Sequence, residues 1–249
     1  MATKGNELAV LNNYAIEPAT ISQLAEAIKR ELGDLGPLDL PRASAPTGGG
    51  MTWTVKQNAD DTDPESVKAL EGVIIARHHA YAYYASAKVT AKSRPQCSSR
   101  DGVHGVTIDG DVVECATCPY NQLGTAVDAT GAPSEAKACK QAFIVYLLRE
   151  GDVLPTRVKI PPTGVRKLGN YLKMLFVPSG GKPILRGCDV VTRISFTPAT
   201  SKGGTQYAAP VFETVGILPA GVGDSLDQYG KAFLATGAAT DEIADDDVF

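Results

Sequence analysis

Four of the five cysteines in this 249-residue chain fall close together, as Cys97, Cys115, Cys118 and Cys139, with the spacing C-x17-C-x2-C-x20-C. The "CATC" pair can present two thiolates from one tight turn, and two distant cysteines can complete the tetrahedron of soft ligands that zinc prefers. The surrounding "SSRDGVHGVTIDGDVVECATCPYNQLGTAVDATGAPSEAKACK" is too polar and Gly-rich to be held by a core of its own, so a metal staple would order it. The expectation is one structural zinc, Zn2+, on these four thiolates, with His104 as the reserve ligand. A fully thiolate-ligated zinc leaves no open position for water and implies no catalysis. Three plainer readings stand beside it: a disulfide set, a redox C-x2-C, and simple buried thiols. A reducing cytosol disfavours the first, and the second belongs at the head of a helix in a βαβ setting that is not apparent here. Cys188, at the start of a predicted strand, reads as a small core residue.

A second constellation is basic and aromatic. In "GVIIARHHAYAYYA" a strand would send alternate side chains to one face, so Val73, Ile75, Arg77, His79, Tyr81 and Tyr83 would line up together. Single-stranded nucleic acid is bound without sequence preference by cations that follow phosphates and rings that stack on bases. Arg77, His79, Tyr81 and Tyr83 supply both kinds of group. Lys140, Arg149, Arg157, Lys159 and Arg193 would extend that face across neighbouring strands, with Lys92, Arg94, Arg100 and Lys137 added by the cysteine insert. Each such tyrosine or cation taken singly also fits an ordinary edge or solvated position.

The elements that must position these groups are legible from periodicity. "TISQLAEAIKREL" has Ile21, Leu24, Ile28 and Leu32 at helical spacing, with Thr20 and Gln23 as a capping box. "GDLGPLDLPRASAPTGGG" reads as an extended arm leading to a strand at "MTWTVK". Strands are predicted in "GVIIARHHAYAYYA", "QAFIVYLLR" and "VLPTRVKI", the last with Arg157 and Lys159 opposite Leu154, Val158 and Ile160. A helix follows in "PPTGVRKLGNYLKML", N-capped by Thr163 and striped by Val165, Leu168, Leu172 and Leu175. Strands in "CDVVTRISF" and "YAAPVFETVGIL" come next, joined by a turn at "TSKGG", and "AGVGDSLDQYGKAFLATGAAT" holds a short helix before a flexible tail.

Strand, insert, strand, strand, helix, strand, strand is the order of an OB-fold: a mainly β, five-stranded Greek-key barrel with its helix between strands three and four and an open face that binds oligonucleotides. The expected organisation is therefore an N-terminal helix and arm over 1–68, a barrel core over 69–220 carrying a zinc-binding insert at about 92–139, and a flexible acidic tail over 221–249.

The net charge of -4 divides unevenly. Residues 1–68 carry 6 basic and 10 acidic groups, 69–220 carry 17 and 11, and 221–249 carry 1 and 7. A basic middle between acidic ends suits a polyanionic ligand and a separately acting tail. The composition is that of an ordinary globular chain, no apolar run is long enough to span a bilayer, and "MATKGNELAV" lacks the pattern of a secretory signal. A soluble, cytoplasmic protein with no membrane partner is expected.

The segment "DEIADDDVF" resembles the acidic, aromatic-ended tails of bacterial and bacteriophage single-stranded DNA-binding (SSB) proteins. "LDLPRASAPTGGGMTWTV", "PQCSSRDGVHG", "CATCPYNQLGTA", "KACK" and "VLPTRVKIPPTGVRKLGNYLKML" are similar to phage replication-region proteins with cysteine inserts, over roughly residues 38–176. The resemblance implies a non-catalytic protein of the host cytoplasm that coats single-stranded DNA in phage replication and recombination. It also implies that Asp245, Asp246, Asp247, Val248 and Phe249 recruit replication and recombination proteins. The insert and the arm have no counterpart in ordinary bacterial SSB proteins, so a tetramer of that kind is not implied and a homo-oligomer is left open. In a second role, the segment bearing Asp241, Glu242, Asp245, Asp246 and Asp247 mimics the phosphate polyanion and can lie on the protein's own basic groove, competing with weakly bound DNA. Two rivals remain: a metal-dependent nuclease using Asp101, Asp109, Asp111 and Glu114, and a zinc-stabilised transcription-regulating or protein-interaction module.

Overall fold

The computed structural model describes residues 40–46, 50–58, 60–85, 94–99, 101–128, 131–177, 184–201, 204 and 206–235, with residues 9, 10, 14, 26 and 30. Of the predicted helix at 20–32 only Glu26 and Arg30 are described, both helical; the rest of it, most of the arm and the acidic segment from 236 onward, including Asp245, Asp246, Asp247, Val248 and Phe249, lie outside the described residues, as do Lys92 and Arg100.

The chain is mainly β. Its strands are β1 (Ala9–Val10), β2 (Arg42–Ser44), β3 (Trp53–Lys56), β4 (Glu65–Val67), β5 (Ala69–Tyr83), β6 (Cys97–Ser99), β7 (His104–Thr107), β8 (Val112–Glu114), β9 (Ala126–Val127), β10 (Pro133–Ser134), β11 (Cys139–Leu148), β12 (Thr156–Ile160), β13 (Val190–Thr200) and β14 (Gln206–Ile217). Among the described residues two α-helices are complete from end to end, α1 (Pro162–Phe176) and α2 (Val222–Ala235). No helix among the described residues is long and apolar enough to cross a membrane.

One large mixed sheet runs in the order β1-β14-β13-β5-β11-β12-β2-β3-β4. The five long strands predicted between 69 and 220 are all present, antiparallel to their neighbours, with α1 between the third and the fourth. The expected closure into a barrel is not made. It would need β12 to pair with β14, but the free edge of β12 is taken in parallel by β2 and that of β14 by β1. An unpaired edge must find a partner, and the N-terminal third supplies one for each. The arm is thus part of the sheet, and a domain boundary at 68/69 would cut between β4 and β5.

The sheet curls strongly without closing. Trp53 on β3 reaches β13, where its indole Nε1 donates to the Ile194 carbonyl at 2.9 Å and its ring lies 4.5 Å from that of Phe196. This inner core contains Trp53, Val55, Leu70, Ile74, Val145, Leu147, Val158, Ile160, Leu168 and Ile194. Helix α1 plugs it with Leu168, Leu172 and Leu175 of the expected stripe, but not Val165, and with Tyr171, whose buried hydroxyl pairs with the Thr192 and Thr214 hydroxyls at 2.9 and 3.1 Å. The helix begins two residues earlier than expected: Pro161, not Thr163, is the N-cap, and Pro162 takes the first helical position, where its missing N–H costs nothing.

The opposite face of the sheet forms a second core under α2, from Val73, Ile75, Ile144, Tyr146, Leu148, Val191, Leu226, Tyr229 and Phe233. The predicted helix beyond residue 220 is therefore a core element, with Leu226, Tyr229 and Phe233 fully buried, and a flexible tail can begin only after it. Burying these three side chains contributes on the order of 1.5–3 kcal/mol each. Cys188 is buried in this core, as expected of it.

Candidate functional site

The predicted binding face does not exist as one surface. Tyr146 pairs with Ala76 but Leu147 pairs with Ile74, so Ile75 is an extra residue in β5. A bulge shifts side-chain parity by one. Val73 and Ile75 consequently enter the core beneath α2, while Arg77, opposite Val145, and His79, opposite Phe143, follow the inner-core side.

Beyond the barrel-like part, this second half of β5 is occupied by the insert. The His79 ring packs 4.0 Å from Phe143, and its Nδ1 lies 2.6 Å from Gln141 Nε2. Burial first, then Arg77 and Lys137, pushes its pKa down. Tyr83 stacks on Tyr120 with centroids 4.0 Å apart. Tyr81 and Tyr83 both line the small cavity that holds Cys97, Cys115, Cys118 and Cys139. These two rings are thus placed against the insert, not on an open platform beside Arg157 and Lys159.

The cations fall elsewhere. Residues directly opposite in a sheet share a face, and the register puts Tyr146 (β11), Arg157 (β12), Arg42 (β2) and Lys56 (β3) in one row. Lys159 stands opposite Ile144 and Lys140 opposite Ala82, so both belong to this same face, which on β11 is the core under α2; Arg42 is buried in it and Lys56, Lys140, Arg157 and Lys159 are half-buried. Strands about 4.8 Å apart make the row from Arg157 to Lys56 roughly 10 Å wide. Lys140 Nζ lies 5.6 Å above the Tyr84 ring. His78 is also here, its ring 5.7 Å from Tyr146. Burial, and then the charge of Arg157, lowers its pKa to about 4. Arg149 and Arg193 stand elsewhere: Arg149, just past the end of β11, sits 3.7 Å from Glu65, and Arg193, on β13, has its Nε 2.7 Å from Glu71 Oε1.

Arg42, Lys56, His78 and Tyr84 were missed by sequence reasoning. The signal for Lys56 was present, since "WTVK" alternates apolar and polar. Arg42 lay in a Pro/Gly-rich stretch with too few residues to show a period, and His78 was passed over because the neighbours of Arg157 and Lys159 were sought on the alternate face of β5, with Arg77 and His79.

The insert is a run of short hairpins continuing from β5: β6 pairs β5, β7 pairs β6 and β8 pairs β7. Cys97 and Cys139 both stand opposite Tyr83, one on each side. Burial raises the Cys97 thiol, helped by Cys115 and Cys118, and takes Cys139 up to about 12, helped by Cys118, Cys115 and Cys97. His104 does not line the cavity and instead contacts Asp101 at 3.0 Å. Asp101 caps its own loop: against the effect of burial, N–H groups of Val103 and His104 and the Ser99 hydroxyl hold its carboxyl down at about 2. Among the other acids expected for a nuclease, the Asp111 backbone N–H donates to Thr107 Oγ1 in a turn.

Comparison with known proteins finds no matching family model, curated protein or solved structure.

Proposed function

We propose that this protein binds single-stranded DNA, non-catalytically, along the face of β12, β2 and β3 beside the α2 core, with Lys140 near the start of β11. The observation that carries the reading is the register that places Arg157, Arg42 and Lys56 in one row with Lys159 and Lys140 on the same face. Cations gathered on one sheet face suit a phosphate backbone; Arg42 is itself buried, so half-buried Arg157, Lys159 and Lys56 are the ones that would meet it. The strand and helix order supports an OB-type architecture in which the join between the third and fifth strands is held open, α1 plugs the core, and the N-terminal strands widen the binding face. The likeness of "DEIADDDVF" to SSB tails supports recruitment of replication and recombination proteins by that acidic segment, in a phage setting.

Fluorescence anisotropy with labelled oligo(dT) and with duplex of the same length, each at two salt concentrations, tests the proposal. Single strands should bind more tightly, and each phosphate contact should add about 0.7 to the slope of log K against log salt. The double variant R157E/K159E should weaken binding more than tenfold and flatten that slope. Equal affinity for both DNA forms, or a double variant that binds like the parent, would sink the assignment.

A further inference from the structure

We propose that Cys97, Cys115, Cys118 and Cys139 bind a single zinc ion, and that this ion takes the place of a hydrophobic core in the insert. The inference stands independently of DNA binding. All four thiols line one cavity of about 20 Å³, together with Tyr81, Tyr83, Val113 and Asn121. That volume suits one ion or one water and no organic ligand.

Several elements converge to place the sulfurs. Cys97 and Cys139 flank Tyr83 across three neighbouring strands, so they share a face. Cys115 follows β8 directly, and Cys118 precedes a 3-10 turn at Pro119–Asn121. A methyl group at Gly105 would lie 2.7 Å from Cys97 Sγ and 3.7 Å from Cys115 Sγ, so glycine alone leaves both sulfurs room. The knuckle between Cys115 and Cys118 is tied by side chains: Asn121 Nδ2 donates to the Cys115 carbonyl at 2.7 Å and Gln122 Nε2 to the Ala116 carbonyl at 3.1 Å. Lys137 Nζ reaches Asn121 Oδ1 at 3.2 Å, bringing a cation beside a centre that would carry negative charge.

The rest of the insert has little else to hold it. Val103, Val106, Ile108, Val112, Leu123 and Val127 are all exposed, and its strands are two to four residues long. All five cysteines of the chain are free, so no disulfide supplies the staple. Among the described residues no three His, Cys, Asp or Glu side chains already form a finished metal site. Closing the shell therefore includes turning the thiols toward the cavity centre. Binding exchanges four thiol protons, released to solvent, for four Zn–S bonds and leaves a shell of net charge -2.

The experiment uses the full chain purified without chelator. Elemental analysis should give one zinc per chain, and titration with an organomercurial should release it. Alkylation of the denatured, metal-stripped protein should count five free thiols. Single Ser replacements at Cys97, Cys115, Cys118 and Cys139 should each lose the metal, while C188S keeps it. Because a variant could fail to fold, the parent protein provides a second readout: stripping the metal should open cleavage sites for protease within 94–139 and leave the fragments on either side resistant. Protein without stoichiometric zinc, alkylation showing disulfides, retention of zinc by two or more of the four variants, or unchanged protease resistance after stripping would each overturn the proposal.

Discussion

Replacing Gly230 with Ala reports directly on how α2 is seated. A methyl group there would stand 2.7 Å from the Ile75 carbonyl carbon, nearer still to its oxygen, and 3.4 Å from Ile75 Cβ. The obstructing atoms are backbone at the β5 bulge and cannot swing away as a side-chain end could. Overpacking of this kind costs about 1–3 kcal/mol, with the upper end expected where backbone must move. Against it, Ala in a helix interior is favoured over Gly by about 1 kcal/mol. The net is a loss of about 2 kcal/mol, which for a chain of this size lowers Tm by roughly 4–8 °C. Gly169→Ala is the matched control, because on the exposed side of α1 its methyl meets nothing within 4 Å. It should gain up to about 1 kcal/mol from propensity alone. Calorimetry and urea titration of the two variants beside the parent decide the matter. If G230A is as stable as the parent while G169A is stabilised, the close seating of α2 on the bulge is refuted.

Trp53→Phe keeps most of the packing but leaves the Ile194 carbonyl without its indole donor; a loss of about 1–3 kcal/mol should appear as a lower urea midpoint at unchanged m. Acid should destabilise the fold through His78: its folded pKa of about 4 lies below the unfolded value, so the unfolded chain takes the proton first. Its share of stability is whole above about pH 6.5, falls by about 2 kcal/mol by pH 5 and levels off below pH 4, so H78Q should show a shallower pH dependence than the parent in urea titrations at pH 7.5 and pH 5. A chain ending at Thr240 loses five acids; its thermal midpoint should match the parent while its affinity for oligo(dT) rises, and a large fall in the midpoint would mean that the acidic segment belongs to the fold.

How much was legible depended on the range over which each signal acts. Strand and helix order from 69 to 220 could be read because alternation and the 3.6-residue period are local, and both are imposed by which side chains must be buried. The gathering of Cys97, Cys115, Cys118 and Cys139 round one cavity was legible in their spacing. The basic face was only half legible: Arg157 and Lys159 were recognised as sharing a face, but their neighbours were sought on β5, whose cations point the other way.

The sequence alone thus determined the secondary structure of the long strands, the shared face of Arg157 and Lys159 and the cysteine cluster, all consequences of patterns a few residues to a few tens of residues long. Tertiary structure alone decided three other things. Which strands take the edges of β12 and β14 depends on competition among distant segments for the same unpaired backbone groups. The parity of β5 after Ile75 depends on a bulge that lets β5 meet both β11 and the glycine of α2. The row of Arg157, Arg42 and Lys56 comes from parallel pairing of β12 with β2, more than a hundred residues away, and antiparallel pairing of β2 with β3, and no local period can record which distant strand will lie alongside.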